Sequence, residues 1–476
     1  MALGIFPMSL WQPWLERDPK QVALSHAGQT LTWQVLDSQV AHYAKALREQ
    51  GVRSGEVVTL VGKNHLPTVL WFLACTQVGA LCAFVAPQPL ARLQEKLATL
   101  YAEQSPKHLW LAPSCALSEE EIEALNAHRL SLPDERDESV GGEKVSSQFS
   151  CEQLATLIFT SGSTGTPKAV THTHQQHLAS ARGLLNKFAF TESDSWLLSL
   201  PLYHISGVAI LYRWLAVGAT LKIGTGDLQS DIAGVTHASL VPTQLKRLLD
   251  SSSPLTLKRV LLGGSHIPLE LAQMAATRGI DTWLGYGMTE AASTVTAKRV
   301  DGLAGNGELL DHRELRLVDG RIFIAGKTLA QGYYRQGQLV PLTNEQGWFD
   351  SKDLGRWQGN NLLIDGRADN LFISGGENVH CEEIEAVLNQ HPHVQVAIVI
   401  PVQDSEFGAR PVAVIRSETE WCQAIGDTWC QGKLEKFKWP IMYFLLPDAL
   451  LDGGIKVSRA AVKAWLAANQ TQFTPL

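Results

Sequence analysis

The chain has 476 residues, 45% apolar and 18% charged, with a net charge of −7. That is ordinary globular composition with room for two or more domains, and the mild negative balance argues against a nucleic-acid surface. Seven scattered cysteines without a CxxC pair suggest neither a disulfide framework nor a zinc ribbon, and they read as free thiols in a reducing cytosol. The opening MALGIFPMSLWQPW lacks the basic and apolar regions of a signal peptide. VVTLVG (Val57–Gly62) reads as a strand, Leu66 to Val78 as a helix and LCAFVAP as the next strand. The whole apolar stretch from Leu66 to Gln88 holds threonines, a glutamine and glycines and ends at proline, so a buried helix running into a buried strand explains it better than a bilayer span. A soluble cytoplasmic protein is expected.

HLWLAP (His108–Pro113) follows an amphipathic stretch, and this alternation of strands with helix-length segments implies βαβ units and a parallel sheet. Ser114 to Ser150 is polar and charged and reads as a surface connection. LATLIFT (Leu154–Thr160) is then a buried strand that delivers FTSGSTGTPKAV (Phe159–Val170), and HQQHLASARGLLNKF is a helix beyond it. LKRVLLGG (Leu257–Gly264) and DTWLGYG (Asp281–Gly287) each read as a strand followed by a glycine turn, the kind of strand end where open α/β sheets place ligands. After Asp301 the pattern changes to short strands, with ELRLVDGRIFIAG a hairpin around Asp319–Gly320. A boundary is expected near GRADN (Gly366–Asn370). Beyond it CEEIEAVLNQH reads as a helix and VQVAIVIP and RPVAVIR as strands, enough for a second core.

FTSGSTGTPKAV does not fit the nucleoside-triphosphatase loop, because Lys168 follows proline and precedes alanine. Its glycines can still aim backbone N–H groups at phosphate oxygens, with Thr160, Ser161, Ser163 and Thr164 as added donors. Alone it could equally be a flexible polar turn. YGMTE (Tyr286–Glu290) sets a hydroxyl and a carboxylate beside a glycine, and Glu290 suits Mg²⁺, which takes few carboxylates plus phosphate oxygens. GWFDSKDLG (Gly347–Gly355) offers Asp353 to ribose hydroxyls. Arg367 and Asp369 fall at the expected domain joint, and GGIKVSR (Gly453–Arg459) presents Lys456 after a flexible turn.

In this order and spacing the motifs resemble the acyl-adenylate-forming, AMP-binding superfamily over nearly the whole chain. The resemblance implies an α/β fold with a large N-terminal domain of stacked mixed sheets with helices plus a β-barrel-like subdomain. A small mobile α+β C-terminal domain follows, with domains at 1–367 and 368–476. It implies attack of a carboxylate on the α-phosphate of ATP with Mg²⁺, then displacement of AMP by a thiol, usually that of coenzyme A. By motif, Thr160, Ser161, Gly162, Ser163, Thr164, Gly165 and Lys168 cradle pyrophosphate, Thr289 touches the α-phosphate and Glu290 holds the metal. Asp353 and Arg367 take the ribose, Gly263, Gly264, Gly285 and Tyr286 shape the adenine and acyl pockets, Lys456 drives the first step, and Asp369 is the hinge. Two departures stand out: Ser351-Lys352-Asp353 replaces the usual Thr-Gly-Asp, and Gly454-Ile455-Lys456 displaces the usual Gly-Lys by one residue.

LPLYHISGVAILYRWLAVGA (Leu200–Ala219) should line the acyl pocket, with His204 as an aromatic gate and Ser265 and Gly287 beside the substrate. Arg213 is out of place in so apolar a helix. On physics alone it snorkels to the surface or caps a structural carboxylate. This stretch, with GMTEAASTVTAK (Gly287–Lys298) and GGIKVSRAAVKAWL, is nevertheless similar to the o-succinylbenzoate–CoA ligases of menaquinone biosynthesis. Their substrate carries a spectator carboxylate that a guanidinium can hold. Other aryl- or acyl-CoA ligases, carrier-loading adenylation enzymes and a decayed binding protein are the competing expectations. A homodimer is compatible with all of them. THTHQQH (His172, His174, His177) reads as a polar helix start rather than a metal site, HPHVQ as a turn, the tryptophans as core and surface anchors, and KLEKFKW as a solvated basic face near the CoA phosphates.

Overall fold

The structure, a computed structural model, describes residues 9–133, 149–160, 167–251, 253–263, 267–451, 457–469 and 475. Among these residues the strands form four sheets. An eight-stranded sheet has Val57–Val61 and Leu81–Val85 near its middle, paired in parallel. Every residue of both strands is buried, which is why they read as continuous apolar runs and not as alternating ones. A nine-stranded sheet runs in parallel from Val22–His26 to Asp281–Met288 and ends on antiparallel strands at both edges. Helices Trp33–Glu49, Leu66–Val78, His174–Leu185 and Ile205–Val217 contribute to the largest core cluster, in which Trp33 stacks on Trp214 at 5.5 Å.

Leu66–Val78 has no polar face: it is buried from Thr68 to Thr76, and Gly79 ends it in a left-handed cap. No helix among the described residues is long and apolar enough to cross a membrane. The polar stretch after Ser114 carries a short helix, Glu119–Glu123, opened by a Ser118–Glu121 capping box.

The third sheet is a four-stranded antiparallel unit. Its first hairpin, Arg313–Val318 with Arg321–Gly326, turns through Asp319 and Gly320, both at positive φ (+50° and +76°), as a two-residue turn that matches strand twist requires. The fourth sheet spans Leu371 to Leu445. Its two faces bury separate clusters, one around Ile384 and Val399 and one around Val402 and Leu466, both drawn only from residues beyond Leu371.

Three expectations change. Lys168–Thr173 is a strand, antiparallel to Leu154–Thr160, so the phosphate loop joins two paired strands instead of leading directly to a helix. His172, His174 and His177 are buried rather than at a polar helix surface. His177 stacks on Tyr212 at 4.3 Å and bonds Thr156, while His174 bonds the Tyr212 hydroxyl. The basic run near Lys436 is pinned rather than freely solvated: Lys438 pairs with Glu383 and Glu435, and Lys433 and Lys436 lie over Trp429 and Trp439.

Candidate active site

Strand Asp281–Met288 delivers Thr289 and Glu290 on a single 3₁₀ turn, and the chain returns antiparallel as Ser293–Arg299. Gly285 and Gly287 lie inside this strand, not in a turn after it. A Cβ on Gly285 would stand 2.3 Å from the Thr296 carbonyl oxygen, and one on Gly287 1.9 Å from that of Ser293. The two glycines are therefore required by close approach of the returning strand.

Glu290 is half-buried, and burial pushes its carboxyl up from the ordinary range. The Tyr333 hydroxyl donates to its Oε1 at 3.3 Å, and Lys168 Nζ lies 5.3 Å from the Tyr333 ring. Thr160 pairs with Lys168 in register at the mouth of the phosphate loop. Sheet pairing of Gly332 with Thr171 and Tyr333 with Val170 brings the tyrosine here, a long-range placement with no local sequence signal. Among the described residues no group of three or more His, Cys, Asp or Glu could cage a metal. A lone carboxylate with lone pairs to spare suits Mg²⁺ that is completed by phosphate oxygens.

Asp353 is buried on strand Phe349–Gln358. Tyr286 donates to its Oδ2 at 2.5 Å and Arg367 Nη1 to its Oδ1 at 3.1 Å. Burial raises its pKa, against the lowering effect of Tyr286 and Arg367. The same guanidinium forks onto Asp369, Nε to Oδ1 at 2.9 Å and Nη2 to Oδ2 at 3.0 Å. Burial works against the Asp369 carboxylate, but the Arg367 pair prevails and its pKa falls. Lys352 sits at φ +62° with its side chain exposed, so the lysine adopts the backbone that glycine normally supplies. Ser351 keeps the turn ordered, donating to the Ile322 carbonyl at 2.8 Å and accepting from the Asp353 N–H.

On the acid side, His204 is the N-cap of helix Ile205–Val217, its ring against Tyr203. Arg213 is 1% exposed, so it does not reach the surface. It also pairs with no carboxylate among the described residues. Its Nη2 meets the Thr294 hydroxyl at 3.5 Å, its guanidinium lies 5.1 Å from the Trp196 ring centre, and Nε and Nη1 have no hydrogen-bond partner. Burial, then the nearby Arg313, pull its pKa down to about 9. A buried cation with open donors is costly unless something pairs with it. Thr294, which sequence reading did not single out, is placed there by the strand returning past Gly285.

Gly263 is exposed at the end of strand Arg259–Leu262, with open space where a Cβ would stand. Ser161, Gly162, Ser163, Thr164, Gly165, Gly264, Ser265 and Lys456 lie outside the described residues.

Glu290 close to Lys168 through Tyr333, the buried Asp353 tied through Arg367 to Asp369, and α/β sheets joined by an antiparallel unit fit an adenylate-forming class of enzyme. Residues 11–334 match the AMP-binding enzyme family model, and the chain belongs to that family. It is 42% identical to the 2-succinylbenzoate–CoA ligase of Salmonella typhimurium over 96% of this chain and 98% of that one, and 41% identical to the Escherichia coli enzyme over 97% and 98%. Among solved structures it resembles a point variant of Escherichia coli MenE with bound OSB-AMS (TM-score 0.85, 40% identity, 97% of this chain and 99% of that one). It also resembles Bacillus subtilis o-succinylbenzoate CoA synthetase in complex with the acyl-adenylate OSB-AMP (TM-score 0.80, 26% identity, 92% and 94%).

Proposed function

We propose that this chain is an o-succinylbenzoate–CoA ligase of menaquinone biosynthesis. A succinyl carboxylate oxygen attacks the α-phosphorus of ATP, the bond to the β-phosphate oxygen breaks, and pyrophosphate leaves. The CoA sulfur then attacks the acyl carbon and AMP departs as o-succinylbenzoyl-CoA forms. Both steps need alignment and charge neutralisation more than a strong base. Lys168 and the hydroxyls of residues 160–165 hold the departing pyrophosphate, Thr289 steadies the α-phosphate, and Asp353 accepts the ribose hydroxyls, with Arg367 paired to that carboxylate. Glu290 would hold Mg²⁺, which would supply charge to offset the phosphates. His204, Ser265 and Gly287 border the acid.

The observation that carries the choice of acid is Arg213, a buried guanidinium with open donors in an apolar helix. A diacid whose second carboxylate pairs with it supplies the missing counter-charge; a plain fatty or benzoic acid does not. The close relatives' named activity supports the same reading. Pyrophosphate release across a panel of acids tests it: o-succinylbenzoate should be turned over far above benzoate and fatty acids, and the reverse order would overturn the assignment.

The working division is residues 1–367 and 368–476, with Asp369 as the hinge and Lys456 brought in for the first step. The separate apolar clusters beyond Leu371 support a tail that moves as a unit. We place the enzyme in the cytoplasm, where its substrates are. A homodimer is the assembly to check by sedimentation.

A further inference from the structure

One residue past Glu290, two consecutive non-glycine residues take left-handed backbone: Ala292 at φ +51° and Ser293 at φ +92°. L-residues there cost on the order of 1 kcal/mol or more each, so the turn has to be held from outside. The Ser180 hydroxyl, on helix His174–Leu185, donates to the Ala292 carbonyl at 2.5 Å. That hydroxyl accepts in turn from Arg313 Nη2 at 2.9 Å, and the same nitrogen reaches the Ser180 carbonyl at 3.0 Å. On the other side the Ala330 N–H donates to the Glu290 carbonyl at 2.8 Å.

Arg313 is 5% exposed, and its Nη1 donates to the Asp311 carbonyl at 2.7 Å. Among the described residues no carboxylate stands within ion-pairing distance of it, although the Asp311 charge partly offsets its burial. Gly183, within the same helix as Ser180, makes room for it: a Cβ there would lie 2.0 Å from Nη1. Glycine inside a helix costs about 1 kcal/mol relative to alanine. The fold thus accepts a mid-helix glycine, a buried cation and a strained turn at one place, none of which serves stability alone. The turn also lies between residues assigned above to the two substrates. Glu290 precedes it, and Thr294, which meets Arg213 at 3.5 Å, follows it.

We propose that Ser180 and Arg313 are positioning residues: they clamp the Ala292–Ser293 turn so that Thr289 and Glu290 meet Mg·ATP while Thr294 meets Arg213. This rests on the adenylation reading above. A purely structural pair would lower the melting temperature and leave the partial reactions in proportion.

The test compares the full chain with Ser180→Ala and Arg313→Lys. It reads Mg·ATP affinity by calorimetry, which needs no acid, together with ATP–pyrophosphate exchange and thioester formation from supplied acyl-adenylate. In both variants Mg·ATP affinity and exchange should fall about tenfold or more, as loss of a supporting contact behind a ligand commonly does. At saturating supplied acyl-adenylate, whose binding the same turn also serves, the maximal rate of thioester formation should stay within about threefold of the parent, which separates the half-reactions. Either folded variant with affinity and exchange within about twofold of the parent, or with all three readouts reduced equally, would overturn the proposal. If the parent uses another acid, the substrate assignment fails while the calorimetric comparison still decides the clamp.

Discussion

Arg213 carries an unusual cost, since its guanidinium is buried with no counter-charge among the described residues. Arg213→Met keeps most of the volume and removes the unpaired charge. It should raise the melting temperature while raising KM for o-succinylbenzoate roughly tenfold to a hundredfold, the worth of one charge-assisted hydrogen bond. Steady-state kinetics and thermal unfolding check this, and an unchanged KM would remove Arg213 from the acid site. Its oddness was visible in the sequence because a charge interrupts an apolar helix. Among the described residues neither physical alternative, surface exposure or a structural carboxylate, is met. Lys352 is the opposite case, a departure whose reason shows only in the backbone. At φ +62° and exposed, it should accept Lys352→Gly with a gain of about 0.5–1 kcal/mol, after the entropy glycine costs in the unfolded chain. Denaturant unfolding measures it.

Among the elements, the strand Lys168–Thr173 and the helix His174–Leu185 bury three histidines that the sequence suggested would be exposed. Spacing alone could not tell a polar helix start from a buried cap, because the partners, Thr156 and Tyr212, come from distant strands and helices. Burial pulls His172 and His174 down to about 3 and His177 well below its ordinary value. The folded pKa values lie below the unfolded value of about 6.5, so the native state binds fewer protons. Stability from these groups is full above that value and is lost as pH falls from it towards about 3, by up to about 1.4 kcal/mol per pH unit for each imidazole. Unfolding followed from pH 7 to 4.5 should show this decline, and His174→Phe should make it shallower; an unchanged slope would contradict the burial argument. Strands such as Val57–Val61 and the Asp319–Gly320 hairpin were legible because their patterns are local. Tyr333, Thr294 and Ser180 were not, because sheet pairing and a helix crossing bring them to the site.

Across the whole molecule, Arg367 links the buried carboxylate of Asp353 to that of Asp369. On the proposed roles, the ribose site and the hinge share one guanidinium. Asp369→Pro fixes the backbone there and removes that pair. It should impair thioester formation from supplied acyl-adenylate more than adenylation, whereas Lys456→Ala should show the reverse; single-turnover assays of the two half-reactions check both. The order of motifs made the stacked-sheet fold legible from end to end, but the clamp around Ala292 required the coordinates. The most direct test of the central claim is mass analysis of the thioester formed from ATP, CoA and o-succinylbenzoate, with fragmentation to locate the acyl bond. One CoA adduct is expected, joined through the succinyl carboxylate. An adduct through the aromatic carboxylate, or formation only with monocarboxylic acids, would contradict it.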